Sequence, residues 1–198
     1  MERKKELERM KSALIVVDMI KGFRTEGNMA IKDIPYIDEE VVRLVKLFLG
    51  RGDDVIAFME GHTKDSIEFK DFPLHCVLGT SEAELIEPLK PYEDEMLCIR
   101  KNSTCGFITN DFQQYLEENR DILKELVFVG VCSDLCVMNA AIPTKMYMNQ
   151  YDIDCDVIVP ENAIETFDAL GHSRDEYNQI AKKILRLNGI KVPKGYER

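Results

Sequence analysis

The sequence lacks a long apolar run: nowhere in its 198 residues is there a stretch near the roughly 18–20 apolar residues that a membrane-spanning helix needs. It also lacks an excess of positive charge. Against 36 Asp and Glu stand 26 Lys and Arg, a formal net charge of −10. Nucleic acid requires a basic footprint, so that class of partner is excluded, and anionic membrane surfaces with it. No apolar segment long enough for a secretory signal follows the charged start MERKKELERMKS. Residues 1–12 read as a short polar extension, and a cytoplasmic location is expected. Internal repeats, low-complexity tracts and Gly/Ser linkers are missing too, so residues 1–198 are expected to form a single domain with a sizeable core. Cysteine is too sparse for a disulfide scaffold. The six residues, Cys76, Cys98, Cys105, Cys132, Cys136 and Cys155, are scattered, several within apolar runs where buried thiols sit.

What is present is an alternation of short apolar runs with longer amphipathic segments. Strands are expected at Ala13–Asp18, Asp54–Met59, Met96–Arg100, Leu126–Val131 and Asp156–Val159, with a short last one near Ile190–Val192. Near-continuous apolar runs of this kind fit parallel strands covered on both faces. Helices are expected at Ile37–Leu49, with Val41, Leu44, Val45 and Phe48 on one face, at Asn110–Asn119 behind Thr109 as N-cap, at Leu135–Asn149 and at Arg174–Leu187. Pro143 predicts a kink or an early end in the third of these. The pattern implies a doubly wound parallel sheet with right-handed crossovers. Residues 60–80 show no clear period, which in a compact domain marks a functional loop.

Ligands of open α/β sheets bind outside the carboxyl ends of the strands. The first strand ends at Asp18, the second at Glu60 with His62 close by, and the third at Arg100-Lys101. The fourth runs into Cys132 and Cys136. Asp18 is equally well a turn cap or a general base with its pKa raised by desolvation. Lys101 alone reads as a solvated charge, but beside an acid and a thiol it would hold both anionic. Cys136, at the start of the Leu135–Asn149 segment, is placed where a helix dipole and free N–H groups favour a thiolate; the other cysteines read as inert. Of three histidines, His62 and His75 fall in the 60–80 loop with Glu60 and Glu68, a donor set suited to zinc, iron or manganese. His172, in a Gly-His-Ser turn, reads as structural or exposed.

Taken together, LIVVDMIKGF with Asp18, IRKNSTCGF with Lys101 and GVCSDLCV with Cys136 resemble the isochorismatase-like cysteine hydrolases, and within them the nicotinamidases. The resemblance covers nearly the whole chain. It implies a Rossmann-like three-layer α/β/α fold on a six-stranded parallel sheet, and a catalytic Asp–Lys–Cys triad at Asp18, Lys101 and Cys136. It further implies a cis peptide at Val131-Cys132, an oxyanion hole from the backbone N–H groups of Cys132 and Cys136, and ring-sandwiching aromatics at Phe23 and Phe72. The metal set maps onto Glu60, His62 and His75, with Glu68 as a fourth ligand; Glu60 stands where the family has Asp. The activity implied is hydrolysis of a small amide, nicotinamide to nicotinate and ammonia through a thioester, with a divalent metal, no organic cofactor, and a homo-oligomeric state. Two rivals remain: a metal-free amidase of a carbamoyl or ureido compound, and a non-catalytic binding protein of the same fold.

Overall fold

The computed structural model describes residues 10–197. Residues 1–9 of the polar extension lie outside the described residues, and Lys11 and Ser12 already belong to the first strand. In chain order the main elements are β1 (Lys11–Val17), α1 (Lys21–Arg24), α2 (Pro35–Arg51), β2 (Asp54–Glu60), β3 (Leu97–Lys101), α3 (Asn110–Asn119), β4 (Leu123–Val131), α4 (Met138–Gln150), β5 (Asp156–Ile158), β6 (Ile164–Glu165) and α5 (Arg174–Leu187). The sheet is parallel throughout, in the order β3-β2-β1-β4-β5, with β6 also on β4.

Alternation along β1 builds the three layers. Leu14 and Val16 pack with Val41, Leu44, Val45 and Phe48 of α2. Ala13, Ile15 and Val17 pack on the other face with Phe112 and Leu116 of α3, Ala140 and Ala141 of α4, and Leu185 of α5. With both faces covered, a continuous apolar strand is the stable choice.

Three expectations change. The sixth strand is Ile164–Glu165, because β5 pairs only with Glu125–Val127 and leaves the Gly130–Val131 backbone open. The segment near Ile190 makes only the bridge of Lys191 to Ile158. Thr109 makes no side-chain cap; its hydroxyl donates to the Gly106 carbonyl at 2.8 Å. Finally, α4 begins at Met138, after a π-helical turn over Ser133–Val137, and runs on through Pro143 to Gln150. Pro143 cannot donate to Asn139 four residues back; the Cys105 thiol takes that carbonyl instead, at 3.1 Å.

Gly130 fixes how closely β4 passes β1. Its φ is +112°, and a Cβ there would lie 2.1 Å from the Val17 carbonyl oxygen. Only glycine permits that approach, which brings the end of β4 against the end of β1.

Candidate active site

The sheet order reverses between β1 and β4, the switch point at which open α/β sheets bind ligands. Four strand ends meet there. Asp18 follows β1, Glu60 closes β2, Lys101 closes β3 opposite it in register, and the turn bearing Cys136 follows β4. All four side chains are buried.

Lys101 Nζ is the hub. It lies 2.7 Å from Asp18 Oδ2, 2.5 Å from Glu60 Oε2 and 3.9 Å from Cys136 Sγ, and donates to the Ser103 carbonyl at 3.1 Å. Asp18 is held from the other side, its Oδ1 accepting the Glu60 backbone N–H at 2.9 Å. Its Oδ2 meets the ammonium as an ion pair without the angle of a directional hydrogen bond, so that oxygen retains capacity to accept a proton. The Cys136 thiol also reaches Glu60 Oε2, at 3.8 Å.

Burial decides the protonation states. It pushes the Asp18 carboxyl up to about 6, against the pull of Lys101, with Glu60 adding to the rise. The Glu60 carboxyl is pushed up by burial as well, but Lys101, His62 and His75 overcome this and hold it below the usual carboxylate range. Lys101 stays charged, because Asp18, Cys136 and Glu60 outweigh its desolvation. For Cys136 the outcome differs from the sequence expectation of a resting thiolate. Burial, with Asp18 and Glu60 nearby, raises the thiol well above its usual value despite Lys101. The group at rest is S–H, and its proton must leave as it attacks.

Next to this cluster, Glu60, His62, Glu68 and His75 place one donor atom each within 4.8 Å of one another. His62 Nε2 and His75 Nε2 converge on Glu60 Oε1 at 2.7 and 3.1 Å. Their Nδ1 atoms face oxygen acceptors, Asn102 Oδ1 at 2.8 Å and the Pro73 carbonyl at 2.7 Å. That arrangement fixes the tautomer that presents Nε2 to a metal. Glu68 Oε1 is buried without a hydrogen-bond partner, which a cation among these donors would satisfy. The set therefore fits a divalent metal of the zinc, iron or manganese kind. Burial lowers and Glu60 raises the pKa of each imidazole, with a net rise at both His62 and His75.

A cavity of about 400 Å³ opens onto both groups, lined among others by Phe23, Phe72, Glu60, His75 and Cys136. Phe23 and Phe72 lie 5.5 and 6.4 Å from the His75 ring. Every site residue expected from the sequence thus lies at this one crevice. The Val131–Cys132 peptide is cis, as the resemblance implied. Sequence reasoning missed Asn102, which orients His62, and Phe167 and Thr104, which line the cavity. Asn102 directly follows Lys101, so a search for polar neighbours of each strand end would have found it; nothing local marks the other two. His172 does not line this cavity; it is stacked between aromatic rings.

Residues 12–187 match the isochorismatase domain. Nicotinamidase 1 of Arabidopsis thaliana is 32% identical over 172 residues, covering 78% of this chain and 69% of that protein. Among solved structures, a nicotinamidase from Bacillus subtilis aligns with a TM-score of 0.79 at 26% identity, over 93% of this chain and 99% of that one. A pyrazinamidase of Pyrococcus horikoshii in complex with zinc shares the fold, with a TM-score of 0.72 at 23% identity over 92% and 98% of the two chains.

Proposed function

This chain belongs to the isochorismatase family, and from that premise we propose that it is a cysteine amidohydrolase converting nicotinamide to nicotinate and ammonia. The observation that carries the reading is the convergence of Asp18, Lys101 and the Cys136 thiol beside a His/Glu donor set on one aromatic-lined cavity. A metal-free carbamoyl or ureido amidase needs the first cluster and has no use for the second. A binding protein needs neither.

In the reaction, Asp18 Oδ2 takes the thiol proton as Cys136 Sγ bonds to the amide carbon, and Lys101 stabilises the sulfur as it becomes anionic. The amide oxygen gains the negative charge. The backbone N–H groups of Cys132 and Cys136 would receive it; in support, the flanking N–H groups of Leu135 and Val137 are already engaged by the Cys132 carbonyl at 3.2 and 3.1 Å. As the intermediate collapses, the C–N bond breaks and the proton on Asp18 passes to the leaving nitrogen, giving ammonia and a thioester. Water then attacks the thioester carbon and yields a proton to Asp18. The C–S bond breaks, and the proton returns to sulfur as the acid leaves.

Glu60, His62, Glu68 and His75 would hold a divalent metal, whose chemistry when bound is a Lewis-acid contact for the pyridine nitrogen of the substrate. Phe23 and Phe72, which line the cavity, would flank the ring. A cytoplasmic location and a homo-oligomeric state complete the proposal. The test is a substrate panel on the purified protein, with ammonia as the readout. Nicotinamide should be turned over and N-carbamoyl amino acids should not; ammonia only from the carbamoyl compounds would replace this reading with its rival.

A further inference from the structure

Behind the cavity wall lies a second cluster that the reaction above does not use. His172 is clamped between two rings, Phe167 with centroids 3.8 Å apart and planes 8° off parallel, and Tyr177 at 3.7 Å and 26°. Its Nε2 lies 2.8 Å from Asp134 Oδ2, and its Nδ1 lies 3.2 Å from the Phe167 carbonyl oxygen. The other Asp134 oxygen accepts the Thr166 hydroxyl at 2.6 Å. Asp134 sits on the π-helical turn two residues before Cys136, and Phe167 lines the cavity. Ser133, the next residue back on the turn, is tied to the same region, its hydroxyl donating to Asn178 Oδ1 of α5 at 2.6 Å.

One imidazole thus touches both things that the chemistry needs held still. Its ring edge is bonded to the turn that carries the nucleophile. Its ring face carries a wall of the substrate cavity. The loop between β6 and α5 is anchored at its base, where Thr166 is buried, its hydroxyl donates to Asp134 and its carbonyl accepts from Arg174; toward the tip Leu170 is fully exposed, and a two-bond bridge between Ala169 and His172 closes the turn. We propose that His172 is a positioning residue with two separable contacts, the bond to Asp134 setting the nucleophile's turn and the stack setting Phe167 against the substrate. The substrate half of this rests on the amidase reading; the nucleophile half does not.

Two variants separate the contacts. His172→Phe keeps an aromatic face for Phe167 and Tyr177 and gives up the bond to Asp134. His172→Gln keeps a side-chain N–H for Asp134 and gives up the stack. Carbamidomethylation of Cys136 by iodoacetamide, followed by peptide mass spectrometry, reports the turn, because loosening it changes both the burial of Sγ and its distance from the Lys101 ammonium. Protection of Cys136 by nicotinamide reports the wall. His172→Phe should change the alkylation rate by roughly threefold or more, as expected for one lost charge-assisted bond, with half-protection at an unchanged nicotinamide concentration. His172→Gln should keep the alkylation rate and need roughly fivefold more nicotinamide for half-protection, as expected for one lost ring stack. Asp134→Asn, approaching the same bond from its other end, should match His172→Phe in direction and size, and the double variant should depart no further from wild type than either single one.

Both readouts moving together in both histidine variants, or neither moving in either, overturns the proposal. A wild-type protein that nicotinamide does not protect overturns the substrate reading instead, and the alkylation rates of His172→Phe and Asp134→Asn still decide the role of the bond.

Discussion

At the scale of single residues, the buried ammonium of Lys101 sets the behaviour of everything around it. Two carboxylates and a thiol share one cation, and removing it would leave two buried acids without a counter-charge, a loss of roughly 3–5 kcal/mol. Asp18 is the acid whose titration the reaction exposes. Burial raises its carboxyl to about 6; above that pH it is a carboxylate able to accept the thiol proton, and below it is a neutral acid that cannot. Therefore kcat/KM for nicotinamide should fall as the pH is lowered through about 6, by tenfold per unit further down. Asp18→Asn should remove the activity, while a profile flat from pH 5 to pH 8 would exclude Asp18 as the base. Asp18, Lys101 and Cys136 stood out in the sequence because each lies at or soon after a strand end, and the family resemblance then joined them as a triad. The resting S–H state was not, because no local pattern shows that Asp18 and Glu60 flank the sulfur.

Among the elements, the π-helical turn at Ser133–Val137 and the glycine before it do the aiming. Helical periodicity located this segment but placed its start at Leu135, since a π turn and an α turn carry similar apolar spacing over five residues. The two-residue β6 was invisible for the opposite reason, being too short to show any period; it exists because Gly130 and Val131 offer unpaired backbone. Pro143 misled in its own way. The carbonyl it orphans is satisfied by Cys105, a thiol more than thirty residues away in sequence. Gly130 itself gives a direct test of how tightly β4 must pass β1. Gly130→Ala adds a Cβ 2.1 Å from the Val17 carbonyl oxygen at a φ of +112°. The strain should cost about 3 kcal/mol, which for a chain of this size lowers Tm by roughly 6–12 °C. A Tm within a degree of wild type would mean that the two strands separate without cost.

For the whole molecule, the acidic composition and the parallel sheet were readable at once, the first from a count and the second from the alternation of apolar runs. What composition could not show is that Glu60 at the end of β2 and three donors of the loop behind it converge, although the lack of period over residues 60–80 did mark that stretch. If those donors hold a metal in the folded state alone, the metal adds to stability by mass action, about 2.7 kcal/mol when its free concentration is a hundred times Kd. A chelator should then lower Tm by roughly 5–10 °C, zinc should restore it, and Glu68→Gln should shrink the difference. A Tm indifferent to both chelator and zinc would show that the donor set binds no metal.

In this mechanism one thiol of six does the chemistry, and ammonia release from nicotinamide, measured side by side for the wild type, Cys136→Ala and Cys132→Ala, decides whether it does. Cys132 contributes only its backbone N–H to the proposed oxyanion site, and its own thiol is pushed up to about 12 by burial. The wild type and Cys132→Ala should release ammonia at comparable rates, and Cys136→Ala should release none above the uncatalysed background. Sustained release by Cys136→Ala would rule out Cys136 as the nucleophile, and none by the wild type would rule out nicotinamide as the substrate.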